Sequence, residues 1–285
     1  MITVDDLTLT DEKVKDIRFD GIMTVESSFS TIHRRKKIDN AVSLKRVLYP
    51  SPNSPYYCEE YIFTNNMDHP ITMRIPDWKV KYTTPENAGV YGAYKIEASL
   101  SKNGFFTIEP GKQLDFFAVF CGQKIDDAPY NRIYTDAERG GRKALIDQWW
   151  NNLILETPDS TLNTMFAFAK LRGAESIYNT KGGLMHGPGG EAYYAAVWAN
   201  DQAEYINPFF PYLGYEIGNQ SALNSFRHFA RYMNDEYRPI PSSIISEGVS
   251  FWHGAKDRGD GAMIAYGASR YALARGNKEE AKELW

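Results

Sequence analysis

The hydrophobic pattern of this 285-residue chain changes period once. Up to about residue 127 the apolar residues fall in short, strand-like runs. Ile17, Phe19 and Ile22 open the series, and Ser43–Tyr49 continues it until Pro50 breaks the run. Tyr57–Asn65 and Ile71–Ile75 follow, split by the turn residues Asn66–Pro70. Phe105–Gly111 then leads through a turn into Leu114–Phe120. Runs rich in Val, Ile, Thr, Tyr and Phe, punctuated by Asn, Pro and Gly, predict an antiparallel all-β domain, a sandwich.

From about Asp136 the spacing lengthens to that of helices. Ala144, Leu145, Gln148 and Trp149 predict a helical connector. Asp159-Ser160 is a cap for a helix carrying Leu162, Met165, Phe166, Ala169 and Ile177. Further helices are predicted over Ser221–Met233, Asp260–Arg275 and from Lys278 onward, with Gly276-Asn277 as the stop between the last two. The region beyond about residue 140 is therefore expected to be nearly all helix and loop. The division that follows is a β-sandwich over 1–127, a helical linker over 128–158 and a helical domain over 159–285. The Gly-rich run Lys181–Gly190 lacks the strand-then-helix setting of a nucleotide-binding loop and reads as a loop lining a cleft.

Composition excludes several classes. The net charge of −4 leaves no electrostatic footprint for nucleic acid. The one basic run, His33–Lys37, lies among strands and reads as a solvated strand end or hairpin. Cys58 and Cys121 sit in apolar, strand-like surroundings, which favours two buried thiols over a disulfide. No apolar run approaches membrane-spanning length and the N-terminus has no signal-peptide h-region, so a soluble chain without membrane partner is expected. A processed N-terminus would look the same, which keeps a periplasmic or secreted protein open. His186 and His228 lack metal-ligand spacing, and no cofactor motif occurs, so neither metal nor cofactor is expected. Gly-x-Ser-x-Gly, His-Glu-x-x-His and Cys-x-x-Cys are all missing, which removes the usual support for serine-hydrolase, zincin and thiol-redox chemistry.

Candidate chemistry concentrates between Glu191 and Arg270, where large aromatics (among them Trp198 and Trp252) are interspersed with the carboxylates Asp201, Asp257 and Asp260. Aromatic faces beside carboxylates suit a sugar cleft: rings cover the apolar C–H faces of a pyranose, and carboxylates take its hydroxyl protons or act on a glycosidic oxygen. Each residue also has a plainer role. Asp201 is a first-turn acid favoured by a helix dipole, Asp260 an N-cap, Asp257 and Arg258 a loop ion pair, and Trp252 a loop anchor. Glu191 is a catalytic acid in a shorter mechanism or a solvated loop residue, and His228, on a helix among aromatics, is structural.

A sandwich followed by helical hairpins, with Trp198-Ala199-Asn200-Asp201 at one helix start and Asp257-Arg258-Gly259-Asp260-Gly261 at another, resembles the six-hairpin, glucoamylase-like glycosidases with an (α/α)6 toroid. The resemblance implies an α+β multidomain fold, an antiparallel β-sandwich followed by the α-helical hairpins of an incomplete toroid. It implies that Trp198, Asp201, Trp252, Asp257, Arg258 and Asp260 line the sugar site. A full toroid has many more helices than the helical patterns here, and in such enzymes the general acid and base come later than these motifs. Both are therefore expected beyond Trp285, with catalytic residues unassigned in this chain. The implied activity is glycoside hydrolysis on an oligo- or polysaccharide by the complete protein. The alternatives are a toroidal phosphorylase, lyase or epimerase, and a non-catalytic carbohydrate-binding module. Studied alone, the chain is expected to be inactive and to self-associate or meet a completing polypeptide through its uncovered helix faces.

Overall fold

Strand-forming runs build ten of the elements before residue 127: β1 (Thr3–Val4), β2 (Thr10–Phe19), β3 (Met23–His33), β4 (Lys36–Pro50), β5 (Tyr56–Asn65), β6 (Ile71–Ile75), β7 (Lys79–Thr83), β8 (Tyr94–Leu100), β9 (Gly104–Ile108) and β10 (Gln113–Lys124). The computed structural model describes residues 3–4, 9–33, 36–89, 91–127, 135–187, 196–253 and 258–285. These fall into two units, Met1–Ile146 and Asp147–Trp285.

In the first unit every strand pairing is antiparallel. A seven-stranded sheet runs in the order β2-β3-β4-β5-β10-β8-β7, and β1-β6-β9 forms a second sheet. Alternate residues of β6, Ile71, Met73 and Ile75, are buried against Val42 and Leu44 of β4, Phe63 of β5 and Leu114 and Phe116 of β10. This inter-sheet core is what strict alternation predicts for a sandwich. The opposite face of the large sheet buries Val47, Tyr49, Tyr56, Cys58 and Val119. Helix α1 (Thr135–Asn151) is tied to this unit by polar contacts. The Tyr49 hydroxyl donates to Glu60 Oε1 at 2.5 Å and lies 3.0 Å from Thr135 O, and Arg139 pairs with Glu60. Arg142 donates through Nε and Nη2 to Gly21 O at 3.1 and 2.9 Å. Both thiols are free, Cys58 buried and Cys121 half-buried. The basic run falls where β3 ends at His33 and β4 begins at Lys36.

The second unit holds α2 (Ser160–Glu175), β11 (Ile177–Thr180), β12 (Gly183–His186), β13 (Val197–Trp198), a π-helix (Asp201–Ile206), α3 (Phe210–Leu213), α4 (Glu216–Ala230), β14 (Ser243–Ile245), β15 (Ser250–Phe251), α5 (Arg258–Arg275) and α6 (Lys278–Leu284). Asp159 caps α2 by accepting from Thr161 N and Leu162 N, and Asn277 caps α6 in the same manner. The region expected to be nearly all helix and loop past residue 140 also holds short strands in two places. The Gly-rich run is partly a β11–β12 hairpin, and β13, β14 and β15 form a second small sheet. These strands span two to four residues each, too short for a period of two to show. Helix α4 begins at Glu216, five residues before the predicted start at Ser221, since Tyr215 at its N-cap offers no side-chain cap to announce it. Two apolar clusters hold the unit. One gathers Ala203, Phe210, Leu213, Ala222, Phe226, Ala268 and Tyr271, and the other Met185, Val197, Ala199, Phe229, Ile240 and Ile244. No helix of the described residues is long and apolar enough to cross a membrane.

Candidate functional site

The small β13–β14–β15 sheet positions the two tryptophans. Trp198 is the register partner of Ser243, and Trp252 N donates to Ser243 O at 3.1 Å, so the two lie on either side of one β14 residue. Their ring centroids are 5.5 Å apart at an interplanar angle of 51°. Their chain neighbours point the other way: Val197 is buried and Phe251 half-buried in the cluster with Ile240, Ile244 and Ile264. Alternation along two very short strands thus sends the apolar neighbours inward and leaves Trp198 half-buried and Trp252 exposed.

Asp201 opens the π-helix and is exposed, while the next two residues, Gln202 and Ala203, are fully buried. Gln202 Nε2 donates to His186 O at 2.8 Å and stands 3.2 Å from His186 Nδ1. An amide nitrogen only donates, so Nδ1 accepts and the imidazole proton resides on Nε2. Burial holds the His186 pKa down at about 4, which keeps the ring neutral near pH 7.

Asp260 is half-buried in the first turn of α5, which starts at Arg258. The N-cap reading of Asp260 is thereby corrected, because the helix begins two residues before it. Ile264, one helical turn on from Asp260 and on the same face, packs on the cluster containing Val197 and Phe251. Arg258 opens α5, its side chain lies outside the described residues, and so do Asp257 and Glu191. The structure therefore brings Trp198 and Trp252 into contact. It sets Asp260 on the α5 face whose next turn meets the core beneath them, and Asp201 three residues after Trp198, past the helical Ala199 and Asn200.

His228 is structural, as its helical setting suggests. Arg231 Nη2 lies 2.8 Å from Nδ1 and 2.8 Å from Gly248 O, and His228 Nε2 faces Gly182 O at 2.9 Å. A guanidinium can only donate, so the Nε2 proton is directed at Gly182 O and the ring clasps the β11–β12 tip. Burial lowers its pKa as well. Among the described residues no group of three His, Cys, Asp or Glu side chains is placed to hold a metal.

Sequence reasoning passed over the segment between α4 and β14. Met233, Tyr237, Arg238 and Ile240 line a hollow of about 310 Å³ together with Gly261. Tyr237 is 85% exposed and has φ +52, in the left-handed region. Pro239 and Pro241 mark the segment as a loop, but nothing local announces an exposed ring.

No family model matches the chain, and no curated protein matches it. Solved structures do. One, described as a kojibiose phosphorylase from the human microbiome, is 11% identical with a TM-score of 0.57, over 91% of this chain and 43% of that one. A bacterial glucoamylase solved with acarbose is 10% identical with a TM-score of 0.42, over 94% of this chain and 47% of that one. The chain spans under half the length of both. At such identity the likeness speaks of fold. An antiparallel β-sandwich followed by α-helical hairpins, as in the six-hairpin (α/α)6 toroid proteins, is the architecture this chain shares.

Proposed function

We propose that this chain is the sandwich and sugar-holding portion of an enzyme that acts on carbohydrate at a glycosidic bond. The observation that carries the reading is the Trp198–Trp252 pair across Ser243, followed in sequence by Asp201, with Asp260 on the α5 face whose next turn, at Ile264, packs on the cluster of Val197 and Phe251. Two tilted indoles offer apolar faces to the C–H side of a pyranose, and Asp201 and Asp260 accept protons from its hydroxyls. Asp257 and Arg258 would complete the polar side. Hydrolysis is the reaction proposed for the complete protein, with one carboxyl acting as acid and another as base for water. That pair is assigned to the part of such an enzyme that this chain does not span. Phosphorolysis is the second reading, supported by the fold likeness to a chain described as a phosphorylase.

Two measurements test this. Tryptophan fluorescence of the 285-residue chain, titrated with neutral sugars, should show saturable quenching that Trp198→Ala and Trp252→Ala abolish. No quenching by any sugar, from a chain folded by circular dichroism, would sink the reading. For a longer polypeptide, product analysis with and without inorganic phosphate separates the reactions: release of free sugar alone means hydrolysis, a sugar phosphate means phosphorolysis.

A further inference from the structure

We propose that His228 and Arg231 form a proton-operated clasp, which holds the β14–β15 hairpin against the β11–β12 tip at neutral pH and releases it on acidification. Trp252 rides on that hairpin. On the carbohydrate reading above, the clasp makes sugar binding at the tryptophan pair sensitive to acid; the clasp itself stands on geometry alone.

The β14–β15 pairing is too short to hold itself, for its register partners are Ile244 with Phe251 and Ile245 with Ser250. Its turn, Ser246–Gly248, is tied from outside. Arg231 Nη2 donates to Gly248 O at 2.8 Å and to His228 Nδ1 at 2.8 Å, so one nitrogen carries both bonds. His228 Nε2 donates to Gly182 O at 2.9 Å, and Asn224 Nδ2 donates to the same carbonyl at 2.7 Å. Glu247 Oε2 accepts from Lys181 N at 2.8 Å. The imidazole lies between two glycines. A Cβ on Gly182 would stand 3.1 Å from His228 Cε1, and one on Gly248 2.3 Å from it. Packed so closely, the ring has no room to turn away from Arg231.

The bond from Arg231 needs the Nδ1 lone pair. A proton there sets two N–H donors and two positive charges 2.8 Å apart. The charged residues of the clasp are Arg231 on α4, Lys181 on the β11–β12 tip and Glu247 on the turn, two cations against one acid whose Oε2 already takes Lys181 N. Imidazolium and guanidinium therefore part. Because the same Nη2 holds Gly248 O, the turn is freed with them. Trp252 follows Gly248 by four residues and is tied to β14 through its N–H to Ser243 O at 3.1 Å. Burial, joined by the charge of Arg231, holds the His228 pKa below the ordinary 6.5. The clasp is thus closed at neutral pH, and proton uptake opens it as pH falls below 6.5.

The test is amide hydrogen exchange over Ser243–Trp252 in the 285-residue chain, corrected for the intrinsic pH dependence of exchange. The exciton signal of the Trp198–Trp252 pair in circular dichroism is the second readout. As pH falls below 6.5, hairpin opening should rise by up to about tenfold per pH unit, and the exciton signal should fade reversibly. His228→Gln offers one donor and one acceptor but takes up no proton, and should remove the dependence. Arg231→Gln removes the guanidinium charge and should flatten it too, which keeps the test open if His228→Gln does not fold. His186 still titrates in both variants, so a response arising there would persist. A parent hairpin that opens equally across the range, or variants that titrate as the parent does, overturns the clasp. A chain that shows the clasp yet binds no sugar refutes the carbohydrate reading alone.

Discussion

Gly267 of α5 lies directly against the backbone of Ala203 in the π-helix: a Cβ built on Gly267 would stand 2.7 Å from both the carbonyl carbon and the Cα of Ala203. Arg270, one turn further along α5, donates from Nη1 to Glu204 O at 3.0 Å and fixes the same crossing. Gly267→Ala gains helix propensity but must separate two backbones. It should destabilise the chain by about 1–3 kcal/mol, the usual range for overpacking. Urea denaturation measures it, and a variant as stable as the parent would show that the crossing can relax.

Lys170 is buried, and its Nζ donates to the carbonyls of Trp150, Asn152 and Leu153 at 2.8, 2.9 and 2.9 Å. Helix α1 has no basic residue in its last turn, so this lysine supplies the cation that its C-terminal carbonyls attract. Lys170→Met keeps the length and removes the donors, and should cost about 2–3 kcal/mol. The midpoint of thermal or urea unfolding reads this directly.

His186 sets a pH dependence. Its folded pKa of about 4 lies below the ordinary 6.5, so the unfolded chain takes up the proton first as pH falls. The stabilisation is complete above pH 6.5 and is lost as pH drops toward 4, about 3 kcal/mol over the window. His228, also shifted down by burial, acts in the same direction. Stability measured at pH 7 and pH 5 should differ strongly in the parent and less in His186→Gln. Equal slopes for both would refute the assignment.

Asp201 and Asp260 separate a sugar contact from a helix-dipole effect. As first-turn acids each contributes about 0.3–1 kcal/mol to folding. As acceptors for sugar hydroxyls they would add about 1.5–3 kcal/mol to binding, since the bond is to a charged group. Asp201→Asn and Asp260→Asn should therefore lower sugar affinity about tenfold or more with a small loss of stability. A change in stability alone would return both residues to their helices.

Much of the fold was legible because burial follows a simple period. In β6 the buried Ile71, Met73 and Ile75 alternate with Thr72 and Arg74, as written in the sequence. Strand β4 was read only in part. Val42 and Leu44 face the inter-sheet core, whereas Val47 and Tyr49 face the opposite side, and the change of phase breaks the alternation. Cap chemistry revealed α2 and α6 through Asp159 and Asn277. Within the candidate site, the two tryptophans were expected on one surface, but the strands that bring their rings into contact left no trace in the sequence, being two residues long. Tyr237 and Lys170 carried no signal at all: one is an apolar type left in solvent and the other a charged type buried on carbonyls, each decided by tertiary structure.

The π-helix bears on how this protein can be aligned with others. Its defining bond, Asn207 N to Gln202 O at 2.8 Å, closes over five residues where an α-turn closes over four. A counterpart built as an ordinary α-helix would have one residue fewer between Trp198 and Phe210. Ungapped matching through this stretch would then pair the fully buried Phe210 with the position before or after its true equivalent. Every downstream residue, Asp260 included, would inherit the offset. A single-residue gap inside Asp201–Ile206 restores the correspondence.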